Sequence, residues 1–177
     1  GKAVTVTGYS LTGNDAGNYN VLQPAGLTAN ITQANLQVSG VSALSKVYDA
    51  NTVANLTGTA AVTALGSDSV SVAGTGAGTF ADKNVGTGKA VTVTGYTLTG
   101  NDAGNYSVLQ PTGLTANITP KALSISGIKA ADKVYDGLSA ATVNTAGVVK
   151  SGLLDGDMVK VNATGVFADK NAGQGKT

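Results

Sequence analysis

Eleven lysine amines, ten aspartate carboxylates and six phenols make up the titratable side-chain chemistry of this 177-residue chain, which has no Glu, Arg, Cys, His or Trp. Without Cys there is no disulfide, thiolate nucleophile or zinc–thiolate cluster, and without His there is no Ser–His triad and no imidazole base near neutral pH. The carboxylates are densest at Asp155-Gly156-Asp157, one acid more than the counterpart around Ser67-Asp68. A calcium site needs about six to eight oxygens, and no DxDxDG-type loop occurs. Most of the aspartates sit beside Gly or Asn, where a carboxylate caps local backbone. The expectation is no catalytic residue, no metal ligand and no required cofactor, calcium being the one ion the carboxylates would suit.

Lys46 and Lys133, each followed by Val-Tyr-Asp, are the candidate amines for an intramolecular isopeptide crosslink, with Asn84 or Asn171 as acceptors. The plainer role for such lysines is to keep strand edges soluble. Gly74-Thr75-Gly76-Ala77-Gly78 and Val85-Gly86-Thr87-Gly88-Lys89 have the look of phosphate loops. Neither opens a helix or carries Ser or Thr after the Lys, so both read as turns. Thr5-Val6-Thr7 and Thr92-Val93-Thr94 read as strands with Val inward and Thr outward, too far apart for an ice-binding array.

These side chains must be positioned by a β-rich scaffold. Gly occurs 25 times, Thr, Val, Ala, Asn and Ser are abundant, and the strong helix formers are nearly missing. With 42% apolar residues the chain can bury a core. A net charge of +1 without Arg argues against nucleic acid. No apolar run reaches the roughly 20 residues that span a bilayer. The start, Gly1-Lys2-Ala3-Val4, lacks a signal-peptide core, so the chain reads as a piece of something longer.

Residues 1–32 return at 88–119 with differences at only three positions, 10/97, 20/107 and 25/112, an offset of 87. Lys46-Val47-Tyr48-Asp49 recurs as Lys133-Val134-Tyr135-Asp136, and Phe80-Ala81-Asp82-Lys83-Asn84 as Phe167-Ala168-Asp169-Lys170-Asn171, at that same offset. Alternating strands are expected at 4–7, 36–39, 70–73, 91–94 and 123–126. Their uneven spacing favours discrete modules over a β-solenoid, whose coils would recur every 20–25 residues or so. The expected fold is all-β: tandem immunoglobulin-like β-sandwich modules with an 87-residue period, the alternatives being a β-solenoid or β-grasp-like modules. On this frame 33–119 is a complete module, 1–32 the C-terminal part of a preceding repeat, and 120–177 the N-terminal part of a following one. The two partial pieces sum to one repeat and are candidates to complete each other between chains. The divergent stretches 50–79 and 137–166 are expected to blunt strand exchange between neighbouring repeats.

Asp15-Ala16-Gly17-Asn18-Tyr19 and Asp102-Ala103-Gly104-Asn105-Tyr106 have the D-x-G-x-Y form of a tyrosine corner, whose phenol bonds back to backbone at the entry to the penultimate strand. Tyr19 and Tyr106, Asp15 and Asp102, and Tyr48 and Tyr135 of the KVYD copies are therefore the structural residues singled out.

The ordered set KVYD(G), FADKN-x-G-x-GK, VTVTG-x-x-L-x-G-x-D-A-G-N-Y and TANITPKAL resembles the YDG and MBG repeats of large bacterial surface and secreted proteins, found in filamentous haemagglutinin-like adhesins exported by two-partner secretion. The resemblance covers essentially the whole chain. Tyr135-Asp136-Gly137 keeps the YDG triplet and Tyr48-Asp49-Ala50 departs from it. A turn of positive φ at Gly137 would have to close differently at Ala50. The resemblance implies a non-catalytic spacer or adhesive stalk, extracellular or on the bacterial cell surface. Its partners would be neighbouring repeats and other copies in a fibre, with a distal ligand carried by a tip elsewhere. The competing class is a repeat that itself binds a glycan, host protein or surface.

Overall fold

A computed structural model describes residues 1–176. Its elements are strands and two single-turn 3-10 helices, Ala16–Asn18 and Ala103–Asn105. The strands up to Pro120 are β1 (Lys2–Ala3), β2 (Thr28–Ala29), β3 (Ala34–Gln37), β4 (Ser39–Ala43), β5 (Lys46–Val47), β6 (Val53–Ala54), β7 (Leu56–Ala61), β8 (Ser71–Phe80), β9 (Gly86–Thr99), β10 (Tyr106–Leu109) and β11 (Thr115–Thr119). The short strands β12 (Ser124–Ser126), β13 (Lys129–Ala130), β14 (Ala140–Ala141), β15 (Val143–Asn144), β16 (Val149–Ser151) and β17 (Gly165–Val166) follow. The protein is thus all-β. Among the described residues no helix is long and apolar enough to cross a membrane.

The chain divides into two compact units. The first comprises Gly1–Gly40, Thr59–Gly76 and Thr94–Pro111. Here β3 and β10 pair in parallel, Tyr106 opposite Ala34 through Leu109 opposite Gln37. Leu36, Val38, Tyr106 and Pro111 are its buried residues. Strand alternation turns Gln37 the other way, where its amide donates to the Gln110 carbonyl at 2.7 Å. Gln110 in turn imitates a strand rung. Its side-chain oxygen accepts from the Tyr96 backbone N–H at 3.1 Å, and its side-chain nitrogen donates to the Tyr96 carbonyl at 2.8 Å. Gly76 lies against the Tyr96 ring so closely that a Cβ there would strike it. β1 and β2 form a two-rung antiparallel ladder, Lys2 opposite Ala29 and Ala3 opposite Thr28.

The second unit comprises Val41–Gly58, Ala77–Val93 and Thr112–Thr177. It holds β5, β6, β11 and the adjoining parts of β8 and β9, in the sheet order β5-β11-β9-β8-β6. β11 runs parallel to β5, Ile118 opposite Lys46, and antiparallel to β9, Ala116 opposite Lys89. Alternation along β9 buries Val91 and Val93, and along β11 it buries Ala116 and Ile118; Ala54 and Phe80 complete this core. Each large side chain so buried contributes about 1.5–3 kcal/mol. Beyond Pro120 the pairings are two-stranded and antiparallel: β12 with β16, β13 with β15 and β14 with β17.

Several expectations change. Residues 4–7 lie outside any strand, although their copy at 91–94 sits inside β9. Two pairings, β3–β10 and β5–β11, run parallel, a direction that alternation in the sequence did not indicate. The divergent stretch 50–79 carries two strands beyond the one expected near 70–73: β6 and β7, besides most of β8. The turn after Tyr48-Asp49 does not close differently from its copy: Ala50 takes φ +65° where Gly137 takes +81°. Ala50 is the non-glycine residue with positive φ among the described residues. The turn is imposed by its neighbours, since the Asp49 carboxylate accepts from the Asn51 N–H at 3.1 Å just as Asp136 accepts from the Leu138 N–H at 2.9 Å.

A left-handed backbone costs an L-residue about 1–2 kcal/mol, part of which glycine returns through its larger unfolded-state entropy. Ala50→Gly is expected to stabilise the protein by roughly 0.5–1 kcal/mol. Urea unfolding should show a higher midpoint at an unchanged slope. A lower midpoint would mean that the turn carries no strain.

Candidate functional site

The repeated motifs build the same local device twice. Lys46 Nζ donates to Asp49 Oδ1 at 2.7 Å and to Asn51 Oδ1 at 2.8 Å, and sits 5.5 Å from the centre of the Phe80 ring. In the copy, Lys133 Nζ donates to Asp136 Oδ1 at 2.8 Å and to the Leu138 carbonyl at 2.7 Å, 5.7 Å from the Phe167 ring. The lysine stems are mostly covered and their amines face both an aromatic face and a carboxylate. The FADKN segment repeats the pattern. Asp82 Oδ1 accepts from the Asn84 N–H at 2.7 Å and from Lys89 Nζ at 2.8 Å, and Asp169 accepts from the Asn171 N–H and from Lys176 Nζ.

These lysines hold the four carboxyls of Asp49, Asp82, Asp136 and Asp169 below the ordinary carboxylate range, chiefly through their hydrogen bonds. Lys46 and Lys133 are thereby occupied by Asp49 and Asp136, and neither Asn84 nor Asn171 is among their partners. The expected crosslink acceptors therefore stand elsewhere, since the residues nearest in sequence already satisfy each amine.

Tyr106 is buried, and its phenol donates to Asp68 Oδ2 at 2.6 Å while accepting from the Leu65 backbone N–H at 3.1 Å. The phenol thus meets backbone at Leu65, 41 residues upstream, and a carboxylate that sequence reading did not pair with it. The hydrogen bond to Asp68, followed by burial, pushes the phenol pKa up. Asp102 serves the same corner, accepting from the Ser69 N–H at 2.8 Å rather than capping the 3-10 turn it precedes. Tyr19, the copy of Tyr106, is exposed, and Asp15 makes no side-chain cap to its own 3-10 turn. Tyr135 is exposed as well.

Tyr48 behaves differently from Tyr135. Its phenol donates to Asp157 Oδ1 at 2.8 Å, and Lys83 Nζ stands 3.4 Å from that same oxygen and 5.9 Å from the Tyr48 ring centre. The Lys83 pKa is raised, by Tyr48 first and Asp157 second. Asp157 replaces Val70 of the first copy, and that substitution is the one sequence signal that pointed to it. Its carboxylate binds a phenol and an amine. Among the described residues no three acidic side chains converge as a metal site would need.

A model of the YDG domain matches residues 32–113 and again 119–177. No curated protein and no solved structure matches the chain. The Tyr48–Asp157 hydrogen bond therefore joins the first matched stretch to the second.

Two outcomes are expected. The four depressed carboxyls contribute stability that is present above their unfolded values and is lost as pH falls through their folded ones. The urea midpoint should thus stay level from neutral pH to about 5 and drop below about pH 4; a midpoint that rises on acidification would refute the pairings. Tyr106→Phe strands the Asp68 carboxylate and the Leu65 N–H, so the thermal midpoint should fall by several degrees. An unchanged midpoint would show that the corner is idle.

Proposed function

The chain belongs to the YDG domain family, and from that premise we propose that it is a non-catalytic structural and adhesive stalk segment of a large bacterial secreted or cell-surface protein. In this reading immunoglobulin-like modules follow one another every 87 residues and space a binding tip from the cell, or build a matrix fibre. The observation that carries it is the tie of Tyr48 to Asp157 across successive matched stretches, with Lys83 beside both. A tie of this kind restrains the junction between repeats, which a spacer needs and a flexible string of modules lacks. The stiff Thr119-Pro120-Lys121 link acts in the same sense. The amino-acid inventory supports the non-catalytic part, since the chain has neither His nor Cys and its paired lysines and aspartates hold turns.

Scattering from chains of two, four and six repeats tests this reading. The maximum dimension should grow in proportion to repeat number, and Asp157→Ala at each junction should shorten it. A dimension that follows the square-root growth of a flexible chain, or specific glycan or host-matrix binding by two repeats alone, would replace the stalk with a binding module.

A further inference from the structure

We propose that Tyr48 and Lys83 form a receptor for the side chain that a following repeat places at position 157, and that the receptor selects between repeat copies, accepting one with Asp there and rejecting one with Val.

The two copies in the chain differ at this position while the receptor does not. Tyr48 recurs as Tyr135 and Lys83 as Lys170, both within the segments KVYD and FADKN that the copies share. The residue they face lies in the stretch where the copies diverge, Val70 in the first and Asp157 in the second. One half of the contact is thus constant and the other half varies, which is the arrangement that lets a single surface discriminate.

The geometry is that of a carboxylate seat. The Tyr48 phenol donates to Asp157 Oδ1 at 2.8 Å, and Lys83 Nζ stands 3.4 Å from the same oxygen. The amine also lies 5.9 Å from the centre of the Tyr48 ring, so the phenol holds the lysine as well as the carboxylate. On the other side, Gly156 at φ +83° and the Asp157 N–H, which donates to the Leu154 carbonyl at 3.1 Å, form the turn that presents the carboxylate. The Asp157 side chain is only 19% exposed, so its charge has given up much of its water and depends on these two donors.

Valine offers the seat no acceptor. It would set two methyl groups against a phenol and an ammonium, and a site built to bond a polar group disfavours an analogue that lacks it. Lys83 is 45% exposed and can turn to water, so the phenol bears most of the loss. The consequence rests on the stalk reading, in which 33–119 and the residues from 120 onward are successive repeats of one rod. Junctions entered by an Asp copy are fastened and junctions entered by a Val copy are left free, so the order of copies sets where the rod bends.

The test uses the full chain and begins with Asp157→Val, which installs the residue the other copy carries. Acetylation by acetic anhydride, read by peptide mass spectrometry against the exposed Lys121, should modify Lys83 about two- to fivefold faster in this variant. Tyr48→Phe and Asp157→Val should each lower the thermal midpoint, and the two together no further than the more damaging of them, whereas Tyr135→Phe and Asp157→Val should add. Asp157→Asn keeps an acceptor for the phenol without the charge, so it should release Lys83 to acetylation yet retain the coupling to Tyr48→Phe. Unchanged Lys83 reactivity in Asp157→Val, or additive midpoints for Tyr48→Phe with Asp157→Val, would overturn the proposal. These readouts report the contact itself, so they can fail while scattering still shows a rod and can hold while it shows a flexible chain.

Discussion

A β-strand holds its shape only when its backbone donors and acceptors meet another strand, and this chain displays that constraint within one sequence. Residues 4–7 and 91–94 are identical. The second set lies in a fourteen-residue strand between β8 and β11, with Val91 and Val93 buried. The first set lies outside any ladder. Intrinsic preference is equal in the two places, so the difference belongs wholly to the neighbours. Burial follows the ladder: once paired, alternation carries every second side chain into a core.

Charge acts at a smaller scale. Four lysine–aspartate pairs, Lys46–Asp49, Lys89–Asp82, Lys133–Asp136 and Lys176–Asp169, sit at turns, where one carboxylate oxygen serves both a backbone N–H and an amine. Exposed pairs of this kind contribute little to global stability. They fix how the chain leaves one strand and enters the next, and one of them holds Ala50 in a conformation that its side chain disfavours. The recurrence of Lys over Phe at both copies shows that the motif letters encode a turn and its aromatic seat.

The all-β class and the turn positions were legible because they rest on local rules: alternation and glycine content. Partners were less legible in proportion to their distance. Asp68 lies 38 residues from Tyr106, and Asp157 lies 109 from Tyr48. Nothing in a phenol's own neighbourhood specifies which carboxylate will face it. Strand direction was equally hidden, because Tyr106–Leu109 alternates in the same way whether Ala34–Gln37 runs alongside it or against it. The reading of 4–7 as a strand failed for a related reason: a pattern announces a strand's capacity to pair but not the presence of its mate.

The parallel run of β3 beside β10 has a mechanical side. β3 comes early in the chain and β10 late, and the two point the same way, so tension applied through the chain on either side draws them in opposite directions along their common axis. The rungs between them are then loaded together in shear, instead of opening one after another like a zip. Traction along the polypeptide thus meets this ladder in its strongest direction.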